Sequence, residues 1–208
     1  MTKNEPRRRG RPSAFDRDAA LDQLMLLFWE KGFDATTQSD MMRRTGLSSS
    51  SLYNAFGTKE ATFERALVRY NEMADAGLAQ VLAAPTGLGA LHAFVAARQA
   101  TVSNPALGPG CLVTTTMCEL GARDGAHHTH CARHLDLLRQ TVEAAIERGV
   151  AEGELHPGDT KTRAALLVAA HVGSAATERS AGAQRALEMV QGMRTLVESW
   201  RGPAPQSA

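Results

Sequence analysis

From Asp16 to Lys31 the apolar residues Leu21, Leu24, Met25 and Phe28 recur at i, i+3, i+4 and i+7, the spacing of one helix face, and Gly32 ends the run. The stretch from Thr37 to Lys59 predicts two short helices joined by a tight turn. Thr37 is placed to cap the first, with Asp40 three residues on completing an acidic variant of the capping box, and Met41 and Met42 supply its apolar side. Gly46 stops it, because a left-handed residue there carries no Cβ penalty, and Leu47 turns inward. Ser48 caps the second helix, in which Leu52 and Phe56 at i, i+4 bury one face and leave Tyr53 and Asn54 pointing out. Thr58 then caps a fourth helix carrying Phe63, Leu67 and Tyr70 at three- and four-residue spacing. Beyond about Ala84 no period-two alternation and no Asn-Gly hairpin signal occurs. Helices are expected over 87–102, 111–121, 125–152, 159–180 and 183–201, punctuated by Pro85-Thr86-Gly87, the Asn104 to Gly110 segment and His156 to Asp159. The fold class is all-α.

Two short helices around a tight turn have the geometry of a helix-turn-helix, whose second helix enters the major groove while the first braces it. An ordinary helical hairpin has the same apolar spacing. The small hydroxylic first turn, Ser49, Ser50 and Ser51, allows close approach of an anion to backbone N–H groups. The longer run GFDATTQSDMMRRTGLSSSSLYNAFGTKEATFERAL, preceded by an amphipathic helix, resembles the DNA-binding domain of tetracycline-repressor (TetR) family regulators over residues 12–70. Gly32-Phe33, Thr36-Thr37, Gly46-Leu47-Ser48, Leu52-Tyr53-Asn54, Phe56 and Lys59-Glu60 carry the resemblance in order and spacing. Ser49, Ser50 and Ala55 depart from it, standing where the family often has a basic residue, a glycine and a histidine. The expected DNA-facing set is Thr37, Gln38, Ser39, Ser48, Ser49, Ser50, Tyr53, Asn54 and Lys59, with Tyr53 and Lys59 directed to phosphates and Ser50 and Asn54 to bases.

Composition adds an electrostatic arm. The 208-residue chain has a net charge of only +1. Yet its first twelve residues hold Lys3, Arg7, Arg8, Arg9 and Arg11 against Glu5 alone. A basic run with Gly10 and Pro12 buries no apolar face, so residues 1–12 are expected to be disordered until they meet a polyanion. Arg7, Arg8, Arg9 and Arg11 suit a DNA minor groove, the alternative being a solvated tail. The expected division is therefore an arm (1–12), a DNA-binding domain (13–70), an effector and dimerisation domain (71–202) and a disordered tail (203–208). No apolar run approaches the roughly 20 residues of a membrane span and no signal-peptide core follows the basic start, so a cytoplasmic protein with no membrane partner is expected. Three cysteines without framework spacing agree with free thiols.

Residues 164–176, AALLVAAHVGSAA, are apolar almost all round, and 187–200 set Leu187, Met189, Val190, Met193, Leu196, Val197 and Trp200 along one broad side. A pair of core helices in a monomer would also read so. A contact between two copies through residues 159–201 accounts for the breadth better, and the resemblance implies the same, since these regulators dimerise through their last two long helices. Two reading helices would then face a palindromic operator in double-stranded DNA, with half-sites about 34–36 Å apart or somewhat more.

Candidate chemistry lies in the second domain. If Cys111 and Cys118 share one helix they face the same way about 10 Å apart, too far for a disulfide. With Thr114, Thr115 and the solitary His171 they make a candidate lining for a small, largely apolar inducer. Buried packing explains the same residues without a ligand. A covalent sensor is not favoured, since no Lys or Arg lies close in sequence to lower either thiol pKa. In HHTHCARH, His127, Cys131 and His134 share a helix face with metal-ligand spacing, but no acidic or thiol fourth ligand lies nearby in sequence. No metal and no cofactor are expected, and the helix start is expected to be exposed. No nucleophile elbow or Gly-rich phosphate loop supports an enzyme. The resemblance, taken with these residues, implies a homodimeric, inducer-released regulator of the repressor type. A thiol-based electrophile or redox sensor, a His/Cys metal sensor on the same scaffold, and an architectural DNA-binding protein without effector are the alternatives.

Overall fold

Helix starts follow the caps. The structure, a computed structural model, describes residues 15–102 and 104–202. The arm arginines Arg7, Arg8, Arg9 and Arg11 and the tail 203–208 therefore lie outside the described residues. Asp16 accepts from the N–H groups of Asp18 and Ala19 to open α1 (Arg17–Lys31). Thr37 and Asp40 form the reciprocal capping box of α2 (Gln38–Thr45). Gly46, at φ 70°, closes α2 with its N–H on the Met42 carbonyl, a left-handed turn that an L side chain would strain. Ser48 caps α3 (Ser49–Phe56), and Thr58 caps α4 (Lys59–Leu82).

The remaining described helices are α5 (Gly87–Val102), α6 (Leu112–Leu120), α7 (His127–Ala151), α8 (Thr160–Ala181) and α9 (Ala183–Glu198). Two cores share the long α4. Around its first half Leu24, Phe28 and Trp29 of α1 meet Met41, Leu52, Phe56, Phe63 and Leu67, and Leu112, Val113 and Cys131 reach into the same cluster from α6 and α7. Fully burying a side chain such as Phe28 contributes about 1.5–3 kcal/mol. The second core joins Leu78 and Val81 at the far end of α4 to Leu91 and Phe94 of α5, Val142 and Ile146 of α7, Leu167 of α8 and Met193 and Val197 of α9.

The α8–α9 hairpin turns at Gly182 and is closed by Met189, whose Sδ receives the Thr177 hydroxyl at 3.1 Å. Its outer side leaves Leu166 52% exposed, with Ala165, Ala169 and Gly192 also exposed. No helix among the described residues is long and apolar enough to cross a membrane.

The start of α7 differs from expectation. His128 and Thr129 are exposed, but His127, Cys131 and His134 are buried, because their shared face is the one that packs inward. His127 Nε2 lies 3.0 Å from the Leu120 carbonyl, joining the end of α6 to the start of α7. Among the described residues no three His, Cys, Asp or Glu side chains converge as a metal site.

Candidate nucleic-acid interface and effector cavity

The capped starts of α2 and α3 lie side by side. Gln38 Nε2 donates to Ser49 Oγ at 3.1 Å, joining the first turns of the two helices. Ser48 Oγ accepts from the Ser51 N–H at 3.2 Å and lies 3.1 Å from Ser50 Oγ. Thr37, Gln38, Ser39, Ser48, Ser49 and Ser50 are all exposed, as are Asn54 and Tyr53, the latter by 61%. Tyr53 is held out by a helix whose other side, Leu52 and Phe56, is buried. Helix N-termini favour anions, so this face presents hydroxyls, N–H groups and a phenol to solvent together.

Lys59 is partly engaged: its ammonium lies 4.4 Å from the Phe33 ring centroid and 3.5 Å from the Asp34 carbonyl oxygen. Arg17, absent from the sequence-derived set, donates to the Ala55 carbonyl and sits 5.6 Å over the Phe56 ring, beside α3.

The last turn of α1 connects this face to the rest of the chain. Lys31 Nζ pairs with Asp40 at 2.7 Å, and Glu30 pairs with Arg44, so two ion pairs tie α1 to α2. The Lys31 hydrogen bond, then those from the Thr37 N–H and hydroxyl, hold the Asp40 carboxyl well below its usual range. From the other side Arg179 of α8 donates to the Trp29 carbonyl at 3.1 Å, and Glu119 of α6 accepts from the Phe33 N–H at 2.8 Å. Gly32 makes room for that carboxylate, since a Cβ there would stand 2.0 Å from Glu119 Oε1.

Trp29 also walls a cavity of about 250 Å³. Tyr70, Leu78 and Val81 of α4, Phe94 and Arg98 of α5, Leu138 of α7 and His171 of α8 complete most of its lining, and exposed Met73, Gly77 and Ala97 edge its mouth between α4 and α5. Arg98 is the cavity's permanent cation, and it is fully engaged by Ser174 Oγ at 2.8 Å, Thr101 Oγ1 at 3.1 Å and Glu178 Oε2 at 2.6 Å. Three ring nitrogens in these walls, Trp29 Nε1, His134 Nδ1 and His171 Nδ1, are buried without a hydrogen-bond partner. Burial, then the charges of Arg98 and His134, push the His171 imidazole down to about 3, so it is neutral at physiological pH.

Of the sequence-derived lining, Cys111 and His171 reach this cavity and Thr114, Thr115 and Cys118 do not. The reason is register. Cys111 precedes α6 with extended backbone, φ −136° and ψ 131°, so its side chain does not follow the helical phase that was to align it with Cys118. Cys118 is exposed, and Thr114 and Thr115 are buried in the packing of α6 away from the opening. Trp29, Tyr70, Arg98 and His134 were missed. Arg98 had a signal, since it sits in phase with Leu91, Phe94 and Val95 on the apolar face of α5, where a charge requires a buried partner.

An exposed, hydroxyl-rich α3 packed on α2 and α4, with an apolar cavity behind Trp29, has the architecture of a helix-turn-helix module joined to a helical domain. Residues 20–66 match the bacterial regulatory proteins of the tetR family, and residues 87–193 match the tetracyclin repressor-like C-terminal domain. The chain belongs to the TetR family. It is 33% identical over 152 residues to the HTH-type transcriptional repressor ComR of Escherichia coli (strain K12), covering 72% of each protein. Its fold matches a TetR regulator from Chloroflexus aurantiacus (TM-score 0.79, 24% identity, 90% of this chain and 96% of that one). It also matches a cysteine mutant of CifR complexed with 26 bp of operator DNA (TM-score 0.72, 24% identity, 92% and 100%).

Proposed function

We propose that the protein is a cytoplasmic repressor that binds a palindromic operator as a homodimer and is released by a small, largely apolar inducer held in the cavity behind Trp29. The observation that carries this reading is that one residue of the reading head, Trp29, walls the cavity while its own carbonyl and its neighbours Glu30 and Lys31 hold α8 and α2. A molecule that shifts the indole therefore acts on the start of α2 through contacts already made.

The exposed apolar side of α8 and α9 around Leu166 supports pairing of two copies, which sets two copies of α3 toward successive turns of DNA. Tyr53 and Lys59 serve phosphates, and Ser50 and Asn54 serve bases. Release follows from differential affinity of the inducer for the operator-bound and released forms of the dimer, about 5.5 kcal/mol for a nearly complete switch.

The test sequences genomic DNA bound by the purified protein and screens small molecules for release of the recovered fragment. Inverted repeats, with release by apolar compounds that Trp29→Ala abolishes, are the expected result. Non-palindromic fragments or release unaffected by Trp29→Ala would refute it.

A further inference from the structure

Most polar atoms in the wall of the Trp29 cavity are already partnered. Each of the three Arg98 nitrogens donates, and Glu178 neutralises the guanidinium. The Tyr70 hydroxyl donates to the Cys111 Sγ at 3.2 Å, and His134 Nε2 lies 3.9 Å from the same sulfur. Among the described residues of the wall, the polar atoms left over are Trp29 Nε1, His134 Nδ1 and His171 Nδ1. An imidazole nitrogen donates or accepts according to its tautomer, but an indole N–H only donates. Trp29 is 1% exposed, so its N–H calls for an acceptor inside the cavity. The indole is also fixed in place: its ring meets Tyr70 edge to face, and a Cβ at Gly108 would stand 2.5 Å from Trp29 Cδ1.

Size and charge restrict the rest of the ligand. A cavity of about 150 Å³ is enough to hold benzene, so one of about 250 Å³ takes one or two rings. Leu78, Val81, Phe94 and Leu138 offer its body an apolar bed. Among the described residues that line the cavity, no cation is left for a carboxylate: Arg98 belongs to Glu178, His134 faces the Cys111 sulfur and His171 is neutral. An anion would therefore be buried unpaired, at a cost that a neutral molecule of the same shape does not meet.

We infer that the effector is an uncharged molecule of one or two rings that carries a carbonyl-type acceptor and is held reversibly with that oxygen on Trp29 Nε1. The inference rests on the effector reading of the cavity and names the ligand class that reading leaves open. Trp29 belongs to α1, whereas the apolar bed belongs to α4, α5 and α7. One such molecule thus binds the reading head by its oxygen and the second domain by its body.

The probes are 2-acetylnaphthalene, 2-isopropylnaphthalene and 2-naphthoate, which share their rings and differ in one group: a carbonyl, the same shape without an acceptor, and a carboxylate. Equilibrium dialysis against the purified full chain, without DNA, gives the affinities. The ratio of ketone to hydrocarbon affinity should fall about tenfold on Trp29→Phe, a comparison in which the different hydration of the two compounds cancels. The naphthoate should bind at least about 100-fold more weakly than the ketone. A second measurement leaves Trp29 in place and decides the matter if Trp29→Phe does not fold. The chain has two tryptophans, so the indole N–H region of its proton NMR spectrum is simple, and Trp200→Phe identifies the Trp29 signal. That signal should lie downfield in the ketone complex relative to the hydrocarbon complex. No binding of the ketone, an unchanged ratio, coincident indole signals, or naphthoate bound as tightly as the ketone overturns the ligand class. Operator release is scored separately: a ketone that binds through Trp29 and leaves DNA bound overturns the cavity's regulatory role and not the ligand class.

Discussion

The reading head and the cavity are built by different rules. In the head the contacts that start and stop the helices join residues a few positions apart: Thr37 with Asp40, Gly46 with Met42, Ser48 with Ser51. In the cavity they span the chain, as in Arg98 with Glu178, Cys111 with His134 and Trp29 with Tyr70, whose rings meet edge to face at 5.0 Å. The difference predicts unequal costs for one kind of mutation. Glu178→Ala strands a guanidinium that is 2% exposed and should destabilise the fold by about 3–5 kcal/mol. Glu30→Ala removes the partner of Arg44 in a bridge whose side chains are 34% and 57% exposed, and should cost no more than about 1 kcal/mol. Urea unfolding of both variants checks the pair, and equal losses would dissolve the distinction.

The same rules explain what the sequence disclosed. Caps, the left-handed glycine and i, i+4 apolar pairs are local, so the head's helices and its exposed Tyr53 and Asn54 were legible position by position. The lining of the cavity depends on which helix faces which, and periodicity does not encode that. Cys111 and Cys118 show the cost: helical phase predicted a shared face, but phase says nothing about a residue that precedes the helix in extended backbone. The His127, Cys131 and His134 stripe was seen as a stripe, yet its burial depended on α4 and α6 closing over it.

The two regions should also separate in acid. His171 is held at about 3, below its ordinary 6.5, so the unfolded chain binds its proton first as pH falls. Its contribution to stability is intact above about pH 6.5 and is lost at roughly 1.4 kcal/mol per pH unit as pH drops toward 3. The head's depressed groups are carboxylates. Asp34, lowered chiefly by its hydrogen bond to Arg123, and Asp40 keep their contributions above about pH 3.8 and lose them only below it. Glu60, lowered by hydrogen bonds at the start of α4, keeps its contribution above about pH 4.5, so between pH 6.5 and pH 4.5 the second domain should weaken while the head does not. Hydrogen exchange of α8 and α2 amides across that window checks this, and His171→Leu should flatten the response of α8. An unchanged slope in that variant would assign the acid sensitivity to another group.

The smallest expected effect concerns Lys59, whose ammonium has two candidate employments. If it meets a phosphate, Lys59→Ala lowers the slope of log K against log salt by about 0.9. If it serves only the Phe33 ring and the Asp34 carbonyl, the variant loses roughly 0.5–1 kcal/mol of head stability and the salt slope stays put. The 3.5 Å distance to the carbonyl and the half-buried position leave part of the ammonium free to turn outward at the start of α4, where a cation opposes the helix dipole unless an anion is near. The phosphate role is thus the expected one, with affinity reduced alike on every DNA sequence. Tyr53→Ala supplies the control: a phenol carries no charge, so affinity should fall across sequences with the slope unchanged. A Lys59→Ala protein with a lower melting temperature and a wild-type slope would make Lys59 part of the head's frame rather than of its DNA contact.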